Sequence, residues 1–191
     1  MPKPTHTPSK ADVKIGRFLS MVLRHKPQAL GIRLDGGGWV EVDVLLAALA
    51  RAGRPLDRAR LDHLVATNPK RRYAFSDDGT RIRAVQGHSL SVDLGYAPAR
   101  PPEHLYHGTV ARVLEAIRAQ GLKPMGRDHV HLSPDVETAT IVGARRGRPV
   151  ILTVRAGALW AEGQVFHQAD NGVWLTAAVP PDFLDVPEII S

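Results

Sequence analysis

The sequence predicts an α+β protein of two lobes. Three observations carry that expectation. The first half holds three helical patterns followed by a hairpin pattern, the second half has a strand-rich rhythm, and the Pro- and Ala-rich stretch from Gly95 to Pro102 lies between them. Three helices followed by a hairpin suggest a winged-helix arrangement in the first lobe, although such a lobe does not by itself decide function. The lobe boundary is placed between residues 97 and 98, with residues 1–11 as a flexible tail.

In the first lobe, Ile15, Phe18, Leu19 and Val22 recur at helical spacing from Asp12 onward. Pro27 stops this helix, which puts Arg24 and His25 at its C-terminal end, where the helix dipole favours cations. Gly36-Gly37-Gly38 marks a turn and Trp39 to Val42 is short and β-like. Asp43 is suited to cap a helix from Val44 to Ala52. Leu56 to Ala66 reads as a third helix with Leu61, Leu64 and Val65 on one side. Arg72 to Phe75 and Ile82 to Val85 flank Asp77-Asp78-Gly79, the signature of a hairpin with a glycine-containing loop.

In the second lobe, Leu105 to His107 is a short strand, Val110 to Ala119 a helix, and Gly121 its C-terminal cap. His129 to Leu132 is a strand, after which Ser133-Pro134 opens a helix as N-cap and first helical residue. Val150 to Val154 is an unbroken apolar run that suits a buried strand. Val165 to Gln168 and Val173 to Thr176 flank Asn171-Gly172, a two-residue hairpin signal. The lobe is therefore expected to be strand-rich with two helices.

Composition narrows the function. With 43% hydrophobic residues the chain can bury a core. Lys and Arg number 25 against 19 Asp and Glu, an excess that points to a polyanionic partner such as nucleic acid. Cysteine is absent, which excludes disulfides, thiol nucleophiles and cysteine-based metal sites. No apolar stretch reaches the length of a membrane span, and the polar start of the chain lacks the apolar core of a secretory signal. A cytoplasmic monomer with no membrane association is the expectation.

Two histidine motifs stand out. His107-Gly108-Thr109 is read at the end of a strand and before a helix, where Gly108 lets a ligand approach the backbone and Thr109 with the helix-start N–H groups suits a phosphate or ribose. The same residues also suit a plain N-cap with a satisfied histidine. His129 and His131 are two apart, so a strand projects them to one face. No third ligand accompanies them, and no metal is expected. Pairing His107-x-Thr109 with His131-x-Ser133 gives the layout of a two-histidine phosphoesterase, but the motifs lie close together for that class. Arginine offers a planar, permanently charged fork for phosphate. Arg24, Arg72 and Arg127 stand out by context, whereas Arg17, Arg51, Arg54, Arg58 and Arg60 read as solvated surface charges.

Seven segments then occur in order: Leu23-Arg24-His25-Lys26-Pro27, Gly38-Trp39-Val40, Lys70-Arg71-Arg72-Tyr73, Ile82 to Ser89, Leu105-Tyr106-His107-Gly108-Thr109, Arg127 to Ser133, and Asn171 to Thr176. Together they closely resemble the RNA 2′-phosphotransferase family, from about Ile15 to Thr176. The resemblance implies an N-terminal winged-helix RNA lobe and a C-terminal NAD-binding lobe of the ADP-ribosyltransferase type. It also implies a reaction in which an internal RNA 2′-phosphate, as left at a tRNA splice junction, attacks the nicotinamide ribose of NAD⁺. Nicotinamide leaves and an RNA-2′-phospho-ADP-ribose intermediate forms. The adjacent ribose hydroxyl then attacks the phosphate, giving 2′-OH RNA and ADP-ribose 1″,2″-cyclic phosphate. The family's essential Arg-His-Arg-Arg set falls on Arg24, His25, Arg72 and Arg127, and the NAD site on His107, Gly108, Thr109, His131 and Ser133. Val165 or a neighbour stands where protein-modifying relatives of the fold carry a catalytic Glu, and Ala169 where many family members carry a hydroxyl residue. Alternative readings are a two-histidine RNA phosphoesterase, an ADP-ribosyltransferase acting on nucleic-acid phosphate ends, and a non-catalytic RNA-binding module.

Overall fold

The computed structural model describes residues 9–90 and 92–188. Residues 1–8 of the expected tail lie outside that range. The chain is α+β, with helices and three small antiparallel sheets, and it divides into two compact units, Met1–Gly95 and Tyr96–Ser191.

In the first unit, α1 (Lys10–Arg24) starts earlier than the apolar stripe alone indicates. Ser9 and Asp12 form a capping box: the Asp12 N–H donates to Ser9 Oγ at 3.1 Å and the Ser9 N–H to Asp12 Oδ2 at 3.2 Å. That pair satisfies helix-end donors and recruits residues 10 and 11 from the expected tail. The helix buries Leu19, Val22 and Leu23, and its C-cap is His25, whose N–H donates to the Met21 carbonyl.

β1 (Val40–Glu41) runs directly into α2 (Val42–Arg51). The helix thus begins before the position expected for it, and Asp43 lies inside the first turn rather than at the cap. α3 (Arg58–Ala66) begins after Asp57, which caps it by accepting from the Arg60 N–H at 2.7 Å. β2 (Tyr73–Phe75) and β3 (Arg81–Ala84) form the expected hairpin, and the sheet order is β1-β3-β2. Ile82 pairs with Val40 on one side and Phe75 on the other. Leu19, Leu23, Leu45, Leu49, Leu61 and Ile82, all fully buried, join the helices and sheet in one core. Each such side chain contributes about 1.5–3 kcal/mol by leaving water.

The second unit departs more from the sequence pattern. β4 (Leu105–Val110) pairs along its whole length with β6 (Pro149–Val154), from Leu105↔Val154 to Val110↔Pro149. His107-Gly108-Thr109 therefore lies within a strand and not at its end. A 3₁₀ turn (Ala111–Val113) follows, and α4 (Leu114–Gln120) starts only then. The ladder with β6 extends the strand beyond the residues whose alternation marks it.

β5 (Val130–Leu132) leads toward α5 (Val136–Gly143). Its cap is Asp135, which accepts from the Thr138 N–H at 2.6 Å, and not Ser133. Ser133 instead exchanges backbone hydrogen bonds with Tyr106, at 2.9 and 2.7 Å. β7 (Phe166–Gln168) and β8 (Trp174–Thr176) pair in register Gln168↔Trp174. The Ala169 N–H donates to the Val173 carbonyl at 2.8 Å, so the loop holds three residues, Asp170-Asn171-Gly172, with Gly172 at φ +83°. This is the three-residue hairpin with a left-handed glycine rather than the two-residue turn. α6 (Ala156–Ala161) and β9 (Leu184–Asp185) complete the unit, whose sheets run β4-β6-β9 and β5-β8-β7. Among the described residues it carries three α-helices where two are expected, because α6 is six residues long and has no polar side chain to mark a period in the sequence.

Candidate active site

Arg24 closes α1 and His25 caps it, so both sit where the last helical carbonyls favour positive charge. A third residue ties them down. The Ser89 N–H donates to the Arg24 carbonyl at 3.0 Å, and Ser89 Oγ meets His25 Nδ1 at 2.9 Å. Sequence reasoning gave Ser89 no role, and its place at the end of the Gly87-His88-Ser89 stretch was the only signal available.

Arg72 is placed by its own turn. Asn68 Oδ1 accepts from the N–H groups of Lys70 (3.1 Å) and Arg72 (3.4 Å), and Arg71 takes a left-handed φ of +41°. This turn delivers Arg72 to a groove of about 380 Å³ lined by Arg17, Ser20, Arg24, Asn68, Arg72 and Tyr73 among others. The Tyr73 hydroxyl donates to the Gly16 carbonyl at 2.6 Å, so Ser20 Oγ donates to it at 2.7 Å. Burial pushes the Tyr73 phenol up, while the nearby charges of Arg24 and Arg72 draw it back. Arg24 and Arg72 thus converge on one groove, and His25 stands outside its lining.

Behind Arg24 and His25 lies His88, which is 1% exposed. Neither ring nitrogen has a hydrogen-bond partner among the described residues. Burial, reinforced by the charges of Arg24, His25 and Arg83, pulls its pKa down to about 4. It is a neutral imidazole at physiological pH.

The second unit sets two imidazoles in complementary states. His107 Nδ1 lies 3.1 Å from the His131 carbonyl. A carbonyl only accepts, so Nδ1 carries the proton and Nε2 is left as an acceptor. Burial holds the His107 pKa down, opposed by that hydrogen bond and helped by Arg146 and Arg127. Arg127 Nη1 donates to His131 Nδ1 at 2.8 Å. A guanidinium cannot accept, so the neutral His131 carries its proton on Nε2. Met125 (φ +53°) and Gly126 (φ +81°) turn the chain into Arg127. Burial, then the charges of Arg146 and Arg145, lower the Arg127 pKa. Three guanidinium groups therefore repel one another here, an arrangement that an anion relieves.

Gly108 serves packing. A Cβ on it would lie 1.8 Å from the Ala139 carbonyl oxygen, so its open face is filled by α5 and is closed to a ligand. Thr109 and Ser133 are 4% and 8% exposed, buried beside the two histidines. His129 lies just before β5 and packs edge-on to His167, with ring centroids 6.1 Å apart. Among the described residues no group of three His, Asp or Glu side chains is placed to hold a metal ion, and no helix is long and apolar enough to cross a membrane.

Comparison with known proteins adds the following. The family model described as RNA 2′-phosphotransferase, Tpt1 / KptA family, matches residues 10–178. A Streptomyces coelicolor protein named "Probable RNA 2′-phosphotransferase" is 60% identical over 175 residues, covering 92% of this chain and 95% of the relative. Proteins with the same printed name are 55% identical over 183 residues in Burkholderia lata (95% of this chain, 94% of the relative) and 54% identical over 169 residues in Pseudomonas aeruginosa PAO1 (88% and 93%).

Proposed function

Since the chain belongs to the RNA 2′-phosphotransferase, Tpt1 / KptA family, we propose that it removes an internal 2′-phosphate from RNA by transferring it to NAD⁺. The observation that carries this reading is the convergence of Arg24 and Arg72 on one groove, with Tyr73 held between their charges. Two guanidinium forks on one groove, Arg24 from the last turn of α1 and Arg72 from the turn before β2, are a phosphate site by charge and by fork geometry.

In this reading the first unit is a winged-helix RNA lobe and the second an NAD-binding lobe of the ADP-ribosyltransferase type. The second unit's donor set fits a dinucleotide. His107 Nε2 offers an acceptor to a ribose hydroxyl, His131 carries its proton on Nε2, and Arg145 and Arg146, whose charges act on Arg127, offer charge to a diphosphate. Thr109, Ser133 and Gly108 act by shaping the strand and helix that carry these groups. NAD⁺ held by these groups would supply an electrophilic ribose carbon, with nicotinamide as its leaving group, and a neighbouring ribose hydroxyl.

The chain's own residues then have defined tasks. A 2′-phosphate is already a nucleophile, so it needs positioning and charge compensation rather than a base. Arg24 and Arg72 supply both, and Arg127 is assigned the second step, in which charge builds on the transferring phosphate. That Val165 or a neighbour stands where protein-modifying relatives of the fold carry a catalytic Glu accords with a nucleophile that needs no deprotonation. His25, fixed by Ser89, donates a proton to the departing RNA 2′-oxygen as the general acid.

The test is incubation with an oligonucleotide carrying one internal 2′-phosphate, with and without NAD⁺. The expected result is nicotinamide release, 2′-OH RNA and ADP-ribose 1″,2″-cyclic phosphate, only with NAD⁺. Turnover of a 2′,3′-cyclic phosphate without NAD⁺ would instead identify a two-histidine phosphoesterase. ADP-ribose left attached to RNA ends would identify an end-modifying transferase. RNA binding with no nicotinamide release would leave a non-catalytic module.

A further inference from the structure

The groove on the first unit is larger than its two arginines need. Its volume of about 380 Å³ is that of a small-ligand pocket rather than of a site for one phosphoryl group. Its long wall is one face of α1, where Val13, Gly16, Arg17, Ser20 and Arg24 follow each other at helical spacing. Arg24 and Arg17 are seven residues apart on that face, about 10 Å along the helix axis. Ser20 lies between them, and beside Arg17 the wall is open at Gly16, where an added Cβ would meet nothing within 4 Å.

Arg17 was read from the sequence as a solvated surface charge, together with Arg51, Arg54, Arg58 and Arg60. The structure separates these residues. Arg54 stacks over Phe18 at 4.4 Å, Arg58 pairs with Asp62 at 2.8 Å, and Arg60 pairs with Asp12 at 3.0 Å. Arg17 forms no ion pair among the described residues, and it lines the groove. The one carboxylate in the lining, Asp12, is already engaged by Ser9 Oγ at 2.6 Å and by Arg60, so it does not neutralise Arg17. The groove thus carries three guanidinium groups, Arg17, Arg24 and Arg72, beside apolar side chains at Val13 and Leu64 and hydrogen-bonding groups at Thr67 and Asn68.

We infer that Arg17 forms a second phosphate position, which holds the phosphodiester adjacent to the 2′-phosphorylated nucleotide. This rests on the proposed function for the identity of the substrate, and deepens it by naming Arg17 as the side chain that holds the neighbouring linkage of the strand. The nucleotide bearing the 2′-phosphate spans the stretch of α1 between Arg17 and Arg24, with its extra phosphate at Arg24 and Arg72. Discrimination follows from geometry, since a ligand with only one phosphate leaves Arg17 unmatched.

The experiment measures binding first, by fluorescence anisotropy, so that it does not depend on NAD⁺. The probes are a 2′-phosphorylated RNA oligonucleotide and its analogue with neutral methylphosphonate linkages flanking that nucleotide. The proteins are the full chain and its Arg17→Gln and Arg17→Lys variants, checked for unchanged thermal unfolding. With the natural RNA, Arg17→Gln is expected to weaken binding about 5- to 10-fold and to lower the salt slope by about 0.7. With the neutral-linkage RNA, wild type and Arg17→Gln are expected to bind alike, and Arg17→Lys is expected to restore part of the loss on natural RNA. An equal loss on both probes, or no loss on either, overturns the inference. NAD⁺-dependent turnover of the same RNAs is assayed in parallel. An inactive wild type that still shows the Arg17 coupling would sink the phosphotransferase reading while leaving the second phosphate position standing.

Discussion

Replacing Gly108 by alanine tests the arrangement of the histidine strand most directly. The new Cβ would sit 1.8 Å from the Ala139 carbonyl oxygen, 2.8 Å from the Ala139 carbonyl carbon and 2.8 Å from the Gly143 nitrogen. All three are backbone atoms of α5, so no side-chain rotation relieves the clash. Real Cβ contacts do not fall below 3.0 Å, so α5 and β4 must part by about 1.2 Å or more. Gly143 contributes to the same tight seam, its own Cβ position lying 3.2 Å from Gly108 and Thr109 backbone atoms. Overpacking of a well-packed core costs typically 1–3 kcal/mol, and a rigid backbone seam belongs at or above the top of that range. Glycine's unfolded-state entropy offsets only about 0.4–1 kcal/mol. We expect Gly108→Ala to destabilise the protein by roughly 3 kcal/mol, read as a lower urea midpoint with unchanged m value. Gly16→Ala is the internal control. That residue lies inside α1 with open space around it, so alanine should stabilise by about 0.5–1 kcal/mol. A Gly108→Ala protein within about 1 kcal/mol of wild type would refute the seam.

Further expectations concern charge and catalysis. The His88 pKa of about 4 lies below the ordinary 6.5, so the unfolded chain binds the extra proton first. Its stabilising contribution is full above pH 6.5 and is lost as the pH falls toward 4, amounting to about 3 kcal/mol at most. Urea titrations at several pH values should give a steeper acid loss for wild type than for His88→Leu, and parallel curves would contradict the burial argument. Ser89→Ala should reduce kcat about 10-fold with KM for the RNA unchanged, and Ser89→Thr should restore it. A loss confined to thermal stability, with kcat unchanged, would leave Ser89 as fold support alone. Arg127→Ala should spare the first step and slow the second about 100-fold, so that ADP-ribosylated RNA accumulates. Equal loss of the two steps would show that Arg127 is needed from the start.

Much of the fold was legible because burial leaves a period in the chain. The stripe through Ile15, Phe18, Leu19 and Val22 is α1, and the glycine-bearing loop between two β-rich runs is the β2–β3 hairpin. Boundaries were less legible where a partner distant in sequence sets them. β4 extends to Val110 because β6 pairs with it, and Ser133 is held by Tyr106 instead of capping a helix. In the candidate site, the residue types and their order singled out Arg24, His25, Arg72, Arg127, His107 and His131, since guanidinium and imidazole groups carry phosphate chemistry wherever they stand. Ser89 was not legible, because it acts through contacts 64 residues away in sequence.

The sequence by itself determined the family, the mixed α+β character and the set of side chains able to handle a phosphate, since these follow from residue identity and local periodicity. Only the tertiary structure decided which of those side chains meet. Packing of α1 against the turn before Tyr73 is what brings Arg24, Arg72 and Arg17 onto one groove. The tautomers of His107 and His131 are likewise fixed by a carbonyl and a guanidinium that folding places beside them. A hydrogen bond has direction and reach of about 3 Å, so such roles exist only once the chain has folded.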